Sequence, residues 1–255
     1  MNMKLVIAGY GFVGKAHENI FKSVADIDIV DPKFNSKMID PFADAVVICV
    51  ATPQAPDGSC EMKHIREVLN QTSAVQPVLI KSTMSLDGWR LIRKLYPYHQ
   101  ITFSPEFLRE ATYLEDIQNV TNIMLGGGVE QFWVELFVKA YNRDDLTFTV
   151  QDPEELILAK CFRNSFLATK VAFFNQVYDL CSAAFVDYEG VAQAIAADPR
   201  IGNSHTAVTD ERGFGGHCFP KDTSATVFTA DTFGVDLSLI RDAIRYNKSV
   251  RNSQK

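Results

Sequence analysis

The stretch Lys4-Leu-Val-Ile-Ala-Gly-Tyr-Gly-Phe-Val-Gly14 joins a short apolar run of strand type to the spacing Gly-x-Gly-x-x-Gly, and a helical pattern follows it to about Ser23. Strand, tight turn and helix in this order form the context that a dinucleotide-binding fingerprint requires. In such a fingerprint Gly9 makes the turn, Gly11 lets a pyrophosphate approach the backbone, and Gly14 lets helix and strand pack closely. The stretch therefore predicts a nucleotide site at the amino terminus of the first helix.

An acidic residue follows the next predicted strand, which covers residues 27–30. Asp31 stands there, 22 residues after Gly9. A carboxylate in this place can accept hydrogen bonds from the adenosine ribose and repel a 2′-phosphate, which favours NAD over NADP. Polar side chains also follow later strands, where ligands gather in sheets of this kind. The further cofactor contacts that we predict are Tyr10, Phe12 and Val13 in the glycine turn, together with Thr52 and Thr83 after later strands.

Strand and helix patterns alternate through the first 150 residues. The run 45–50 is apolar throughout, as in a parallel sheet that is buried on both faces. The pattern predicts an α/β fold with a doubly wound, Rossmann-type parallel sheet over residues 1–150, followed by an all-helical domain over residues 151–255. The later strands are predicted over 45–50, 78–81, 100–103, 122–125 and 146–150, and the helices between them over 61–72, 86–95 and 129–141.

The helical region begins with Asp152-Pro153, an N-cap acid followed by proline at the first helical position. This helix is predicted to run to about residue 185, with later helices over 189–197 and 238–250. Lys160 and Asn164 are four residues apart and share a face of the long helix, and Asn175 falls near the same face. One interpretation is a solvated polar stripe. The aromatic residues around them favour the other, in which these polar groups are buried and need partners.

A glycine-rich segment, Gly213-Phe-Gly-Gly-His-Cys-Phe-Pro-Lys-Asp222, precedes the last two helices. Its glycines allow a ligand to lie against the main chain, and Cys218 is predicted to be presented in a loop. A helix is predicted to begin near Lys221 and Asp222, and its amino terminus would stabilise a thiolate, an oxyanion or a phosphate. The alternative is that Cys218 is a small buried apolar residue. The neighbouring glycines and charges favour a reactive cysteine.

Composition restricts the class of protein. The net charge of −6 and the absence of a basic run argue against nucleic-acid binding, and 47% hydrophobic with 22% charged residues is typical of a globular protein. The first residues do not form a signal-peptide core, and no apolar run could span a bilayer, so a cytoplasmic protein without membrane contact is expected. The five cysteines contain no Cys-x-x-Cys pair, so neither disulfides nor a metal site is expected.

Taken together, these motifs resemble those of the UDP-glucose/GDP-mannose (nucleotide-sugar) dehydrogenase family. They occur in the family's order across nearly the whole chain, and the cysteine segment is the most specific of them. The matching stretches are Gly9 to Gly14, Lys81-Ser-Thr83, Ser104-Pro-Glu-Phe-Leu-Arg-Glu110, Lys160-x-x-x-Asn164, Asp198-Pro-Arg-Ile-Gly202 and Gly213 to Asp222.

The resemblance implies an enzyme that oxidises a sugar primary alcohol to a carboxylate in two hydride transfers to two NAD molecules. Cys218 would capture the aldehyde as a thiohemiacetal and then carry a thioester. Lys160 and Asn164 would stabilise the oxyanion, and Asp222 would help to activate the hydrolytic water. Glu106 would assist acid–base steps through a water, together with Thr83. The resemblance also implies a cofactor contact at Glu110 and substrate contacts at Phe107, Leu108, Lys160, Asn164, Arg200, Phe214, Gly215 and Lys221.

The chain departs from the family pattern in three places. The sheet domain is trimmed between Asp31 and Ala45. Arg212 stands where the family more often has a small or an aromatic residue. The family also continues into a third, UDP-binding domain, whereas this chain stops at Lys255. Weak capture of the nucleotide sugar is therefore expected unless a second copy, in a homodimer, or a separate chain completes the site. Two alternatives remain: a one-step hydroxyacid-type dehydrogenase that uses Lys160 and Asn164, and a non-catalytic NAD-binding subunit completed by a partner chain.

Overall fold

The structure, a computed structural model, describes residues 3–34 and 37–252. The chain divides into two compact units. The sheet unit contains the chain up to Ala55 together with Cys60–Lys160, and the helical unit contains Pro56–Ser59 together with the chain from Cys161. The long helix that begins at Pro153 therefore starts in the sheet unit and continues in the helical unit. Among the described residues, no helix is long and apolar enough to cross a membrane.

The strands of the sheet unit form one sheet of seven in the described part of the chain, with the order β2-β1-β3-β4-β5-β6-β7. The predicted alternation of strand and helix is confirmed, and so is the Rossmann-type α/β class. The strands are β1 Met3–Ala8, β2 Ala25–Val30, β3 Ala45–Ile48, β4 Val78–Ile80, β5 Ile101–Phe103, β6 Asn122–Gly127 and β7 Thr147–Val150.

The sheet departs from the predicted parallel arrangement at one pair of strands. Strands β1 to β5 pair in parallel, as do β6 and β7, but β6 runs antiparallel to β5. The antiparallel register sets Thr102 opposite Gly127, where a Cβ would lie 2.5 Å from the Ile101 carbonyl oxygen. An apolar run indicates that a strand is buried, but it does not indicate whether the strand runs parallel or antiparallel to its neighbours.

The helices of the sheet unit are α1 Phe12–Phe21, α2 Lys63–Leu69, α3 Leu86–Leu95, α4 Tyr113–Gln118 and α5 Glu130–Tyr141. The boundaries predicted for α3 are confirmed to the residue. Helix α4 was not predicted. It has six residues, of which Ile117 is buried, and so short a segment does not show the helical periodicity of apolar residues. Its neighbours in space are α1 and the core beneath it.

The core of the sheet unit follows from the side-chain alternation of its strands. On one face, residues two apart on β1 and β3 pack with Leu79 in a single cluster that also contains Phe21 of α1 and Trp133 and Phe137 of α5. Since successive strand residues point to opposite faces, the intervening residues of these strands face the other side, and they too are fully buried. The members of the cluster on β1 and β3 are Leu5, Ile7, Ala45 and Val47.

The helical unit is built from the rest of α6 Pro153–Ala183, with α7 Tyr188–Ala196, α8 Cys218–Thr232 and α9 Ser238–Asn252. Two small apolar clusters hold it together. In one, Ala168 and Ala172 of α6 pack with Phe214 and with Ala243 of α9. In the other, Phe174 and Cys181 of α6 pack with two residues of α7, Tyr188 and Ala192.

Candidate active site

The glycine fingerprint lies between β1 and α1, as its spacing predicts. Gly9 has φ +93°, and a Cβ there would lie 2.7 Å from the Cys49 carbonyl group. A Cβ on Gly14 would lie 2.1 Å from the Gly9 carbonyl oxygen. Gly11 differs, because its φ of −74° suits any residue and nothing lies within 4 Å of the Cβ position. Two of the glycines therefore serve the packing of the protein, while the third faces open space.

That open space fits a pyrophosphate. Gly11 is the N-cap residue of α1 and no side chain caps the helix there, so the N–H groups of the first turn keep their capacity for an anion. Tyr10, Phe12 and Val13 surround this turn, and the Tyr10 ring packs edge-on against Phe34 with centroids 5.2 Å apart. When NAD is bound, the turn would hold its phosphates.

Two alanine substitutions separate these roles. We expect Gly11→Ala to leave the fold intact and to weaken NAD binding by about 1–3 kcal/mol, because its methyl group enters the space for the phosphates. Gly14→Ala should instead lower the free energy of unfolding by about 3 kcal/mol or more, since its methyl group collides with backbone. Calorimetric titration with NAD and urea unfolding measure the two effects. Equal losses of stability in both variants would contradict this division.

Asp31 is fixed at the end of β2 by backbone donors. One carboxylate oxygen accepts a hydrogen bond from Tyr10 N at 2.6 Å, and the other accepts one from Lys33 N at 2.8 Å. A carboxylate has about four acceptor positions. Asp31 therefore retains capacity for ribose hydroxyl groups beside the glycine turn.

The remaining predicted cofactor residues follow strands β3, β4 and β5. Thr52 is buried after β3, and its hydroxyl group donates to the carbonyl oxygen of Thr83, after β4, at 2.7 Å. This bond ties together two strand ends at the edge where ligands bind in parallel sheets. Glu110 lies beyond β5 and is exposed.

Glu106 lies in a buried polar cluster. Its Oε1 accepts a hydrogen bond from Phe107 N at 2.8 Å, and its Oε2 lies 3.2 Å from Lys81 Nζ. Lys81 also donates to Ser104 Oγ at 2.9 Å and to the Pro105 carbonyl oxygen at 3.4 Å. Burial alone raises the pKa of the Glu106 carboxyl group, but Lys81, His17 and the Phe107 N–H together outweigh it and leave the pKa lowered. Glu106 is therefore held as a carboxylate.

His17 completes this cluster, and the sequence reasoning missed it. It lies on α1 with its side chain fully buried, and its Nε2 is 3.6 Å from Glu106 Oε2. A signal was present, because His17 stands on the apolar side of a helix beside Ala16, Ile20 and Phe21, where a polar group requires a partner. Burial, and then the charge of Lys81, lowers the pKa of His17 to about 4.

This lowered pKa predicts a loss of stability in acid. The unfolded chain binds a proton at His17 near the ordinary value of 6.5, whereas the folded protein binds it only near 4. The contribution of His17 is therefore fully present above pH 6.5 and is lost as the pH falls to about 4, a loss of about 3 kcal/mol. Urea unfolding of the parent and of His17→Gln at several pH values measures it. The variant should lose less stability over this range, and parallel curves would contradict the prediction.

Cys218 is exposed and is the first residue of α8. The prediction that it lies in a loop, with the helix beginning near Lys221, is therefore corrected by one turn. Pro220 is accommodated in the first turn because the first N–H groups of a helix have no partner within it. No side chain caps this terminus at His217. The thiol thus stands at a helix end that stabilises negative charge.

Asp222 lies one turn into α8 and is fully buried. One of its oxygens accepts a hydrogen bond from Asn164 Nδ2 at 2.6 Å, and the other accepts one from Lys221 Nζ at 2.7 Å. The structure therefore brings together three predicted site residues of the helical unit. Asn164 keeps a second amide N–H, because its Nδ2 carries two hydrogens.

Lys160 precedes Asn164 by one turn of α6 and belongs to the sheet unit. Its Nζ donates to the carbonyl oxygen of Glu106 at 2.5 Å and lies 5.0 Å from the centre of the Phe107 ring. Phe107 and Leu108 are both half-buried. Three predicted site residues therefore lie together within the sheet unit, namely Lys160, Glu106 and Phe107.

Three polar residues of α6 are buried as predicted. The predicted cause, exclusion of water by the aromatic side chains of the same helix, is wrong. Lys160, Asn164 and Asn175 are each less than a tenth exposed. The aromatic side chains expected to exclude water from the helix are instead largely exposed at Phe162, Phe166 and Phe173. Neighbouring elements bury the polar face, and the aromatic residues point away from it.

Arg212, the departure in the glycine-rich segment, is the partner of Asn175. Its Nε donates to Asn175 Oδ1 at 2.9 Å, and its guanidinium group lies over the Tyr178 ring at 4.6 Å and bonds Asp179. Its φ of +56° is in the left-handed region, where a non-glycine residue is strained. These contacts offset the strain and fix the segment to α6.

Protein side chains fill the space beside two of the glycines of this segment. A Cβ on Gly213 would lie 2.1 Å from Asn247 Oδ1, and a Cβ on Gly215 would lie 2.8 Å from the Arg251 guanidinium group. Phe214 is buried, and its backbone N–H and carbonyl groups both bond the Asn247 amide. Side chains of α9 thus fill the space beside Gly213 and Gly215 in which the sequence predicted a ligand. At Gly216, by contrast, nothing lies within 4 Å of the Cβ position.

Arg200 is exposed and forms a bidentate pair with Asp198, with a shortest distance of 2.5 Å. It is not joined to Asn164, Lys221 and Asp222 by any contact described here. Within residues 3–34 and 37–252, no three His, Cys, Asp or Glu side chains are grouped to hold a metal ion.

Comparison with family models places both parts of the chain in one family. The NAD-binding domain of the UDP-glucose/GDP-mannose dehydrogenase family matches residues 33–143, and the central domain of the same family matches residues 155–249. Together the two models cover well over half of the chain. Dehydrogenases of this family use NAD, which agrees with the open glycine turn and with Asp31.

Individual relatives point the same way. UDP-glucose 6-dehydrogenase of Rhizobium meliloti (strain 1021) is 32% identical over 80% of this chain and 50% of its own length. UDP-glucose 6-dehydrogenase of Campylobacter jejuni is 28% identical over 96% of this chain and 72% of its own. The structure of a UDP-glucose dehydrogenase from Pyrobaculum islandicum superposes with a TM-score of 0.80 at 26% identity, covering 98% of this chain and 68% of that one. The chain thus spans half of one of these relatives and about 70% of the other two.

Proposed function

Because the chain belongs to the UDP-glucose/GDP-mannose dehydrogenase family, we propose that it oxidises the primary alcohol of a UDP-glucose-like nucleotide sugar to a carboxylate in two steps. The observation that carries this proposal is the exposed Cys218 at the amino terminus of α8, with Asp222 buried one turn later and bonded to Asn164. When bound at the glycine turn, one NAD molecule for each step would supply the hydride acceptor.

The first oxidation needs a group that takes the proton of the alcohol. Glu106 is held as a carboxylate by Lys81 and is assigned this role through a water, together with Thr83. Lys160, which bonds the Glu106 carbonyl oxygen, brings positive charge to the same part of the sheet unit. The product of this step is an aldehyde.

The second oxidation needs a nucleophile, because an aldehyde does not release its hydrogen as a hydride until a nucleophile has added to the carbon. The Cys218 thiolate adds to the carbon, and the carbonyl oxygen becomes an alkoxide. Asn164 and Lys160 are the donors proposed for that alkoxide. Loss of the second hydride leaves a thioester on Cys218.

Hydrolysis returns the enzyme to its starting state. Water attacks the thioester carbon, the C–S bond breaks, and the sugar leaves as a carboxylate while the sulfur regains its charge or a proton. Asp222 is the proposed base, and its bonds to Asn164 and Lys221 fix its orientation. Arg200, Phe107, Leu108 and Lys221 remain proposed contacts of the nucleotide sugar. Phe214 and Gly215 are withdrawn from this set, because Phe214 is buried and Arg251 fills the space beside Gly215.

The NADH yield tests this function. Each UDP-glucose consumed should yield two NADH and one acid, and NADP should not replace NAD. One NADH per sugar would favour the one-step hydroxyacid-type dehydrogenase, and NAD binding without turnover would favour a non-catalytic subunit. GDP-mannose and UDP-N-acetyl sugars, supplied in parallel, define the preferred base and sugar.

We also propose that the protein is a homodimer formed along α6. Phe162, Phe166, Phe173 and Leu180 are 43–70% exposed, and at 100° per residue they fall within about 40° of one another on the helix. A continuous apolar stripe of this kind indicates a helix-packing surface. Helix α9 offers less apolar surface, since Leu239 is exposed but Ala243 is buried in its own unit.

Light scattering tests the dimer. We expect twice the mass of one chain for the parent protein and a monomer for the double variant Phe166→Glu and Leu180→Glu, because two buried carboxylates would face the same interface. Val138→Glu, at an exposed apolar position on α5, is the matched control and should leave the mass unchanged. A monomeric parent would overturn the proposal.

A further inference from the structure

A cavity of about 100 Å³ lies inside the sheet unit beside Glu106. Polar groups from several elements line it, with apolar residues such as Phe137 between them. A buried site needs only about 10–15 Å³ for each water molecule, provided that polar partners are present. The cavity is therefore large enough for several waters. Its polar lining consists of His17 on α1, Lys81 after β4, Glu106 after β5, Asp116 on α4, Asn122 on β6 and Tyr141 on α5.

The hydrogen bonding of His17 defines the tautomer of its ring. His17 Nδ1 lies 2.8 Å from the Val13 carbonyl oxygen, one turn earlier on α1. A carbonyl oxygen only accepts, so Nδ1 must carry the hydrogen. In the neutral ring, Nε2 is then an acceptor. It is buried, and no group among the described residues is within hydrogen-bond distance of it.

The nearest polar atom to that acceptor is another acceptor. Glu106 Oε2 lies 3.6 Å from His17 Nε2. Lys81 cannot donate to the histidine as well, because its three N–H groups are directed to Glu106, Ser104 and Pro105. Two lone pairs that face each other in a buried site require a hydrogen between them.

The other titratable groups around the cluster do not supply that hydrogen. Burial raises the pKa of Cys49, after β3, and of Tyr141, so both stay neutral, and the Tyr141 hydroxyl group already donates to the Ile117 carbonyl oxygen. Asp116 on α4 is ionised, since hydrogen bonding by Arg109 lowers its pKa to about 2. The charges of Lys81 and Glu106 balance each other.

We propose that this cavity binds water, that one water molecule donates its two hydrogens to His17 Nε2 and Glu106 Oε2, and that His17 is a positioning residue for proton transfer by Glu106. The second half of the proposal rests on the acid–base role proposed for Glu106. When Glu106 Oε2 takes a proton that a second water passes on from the substrate hydroxyl group, its new O–H donates to the bridging water, which keeps its hydrogen bond to His17 Nε2. Lys81 thus stabilises the ionised form of Glu106, and His17 holds the bridging water that accepts from the protonated form.

The water site is tested without reference to activity. ¹⁵N spectra of the histidine side chains at pH 7, with His17 assigned by comparison with His17→Phe, should show a neutral ring protonated at Nδ1. A crystal structure that orders internal water should place a molecule within hydrogen-bond distance of both His17 Nε2 and Glu106 Oε2. A ring protonated at Nε2, or a dry cavity, would overturn the proposal. The crystal structure uses the parent chain alone, so it decides the water site even if His17→Phe fails to fold.

The positioning role is tested by kinetics. His17→Phe keeps the ring shape but has no acceptor, so kcat should fall about tenfold or more while KM changes little. His17→Gln, which restores an acceptor and a donor, should recover part of the loss. His64→Phe on α2, an exposed histidine, is the control. A parental kcat and pH profile in His17→Phe would overturn the role. Failure of the parent to oxidise any nucleotide sugar would reject the proposed function, while the spectra and the crystal structure would still decide the water site.

Discussion

Replacing Cys218 by serine should reduce the NADH released per UDP-glucose from two to one or less and slow acid formation by about 10³-fold or more, the scale seen when an enzyme loses its nucleophile. The thiol is exposed at the start of α8, where the uncapped N–H groups of the first turn stabilise a thiolate. A serine hydroxyl group in the same place remains protonated at neutral pH and is a far weaker nucleophile. The reaction should therefore stop at the aldehyde. An ester on the serine would require the second hydride transfer, so at most one slow turnover per enzyme should give it.

The measurement combines the NADH yield with intact-protein mass spectrometry. Cys181→Ser is the matched control, because Cys181 is buried in the cluster between α6 and α7 and the same atom is exchanged there. That variant should keep two NADH per sugar. A Cys218→Ser variant with the parental yield and rate would remove the thioester from the mechanism.

Replacing Lys81 by methionine should lower the free energy of unfolding by about 3–5 kcal/mol, because it leaves the buried Glu106 carboxylate without its countercharge. His17 replaces this charge only in part, because burial, the largest cause of its lowered pKa, remains in the variant. The pKa of Glu106 should rise, because burial then acts without the opposing effect of Lys81. Urea unfolding at pH 7 measures the loss of stability.

A second substitution distinguishes the lost charge pair from lost packing. In Lys81→Met with Glu106→Gln, no uncompensated charge remains, so most of the stability should return. Lys4→Met, which removes the surface pair with Asp40, should change stability little because both groups remain in water. If the double variant is as unstable as Lys81→Met, the loss comes from packing of the lysine chain rather than from the Glu106 charge.

The sequence predicted well those features that depend on neighbours along the chain. The turn between β1 and α1 follows from glycine spacing, and the conformations and close approaches found at Gly9 and Gly14 match the roles assigned to them. Helix α3 follows from its apolar period, and the long α6 follows from its proline and acid at the start. NAD as the cofactor and the family itself were also read from local motifs, and both are confirmed.

The features that were missed depend on residues distant in the chain. The direction of β6 is set by its pairing with β5. His17 lies beside Glu106, which is 89 residues away in the chain. The exposed aromatic face of α6 is decided by which side of the helix its neighbours cover. Asn247 and Arg251 fill the space at Gly213 and Gly215 only because α9 packs back onto the segment.

The sequence by itself determined that this chain builds a dinucleotide-binding sheet followed by helices, and that Cys218 stands at or near the start of a helix. Only the tertiary structure decided that Glu106 is ionised between Lys81 and a neutral His17, and that Asp222 is buried against Asn164. The physical reason is that backbone conformation is selected by steric and hydrogen-bonding preferences within a few residues. The charge state and accessible partners of a side chain depend instead on burial and on groups that only folding brings within a few ångströms.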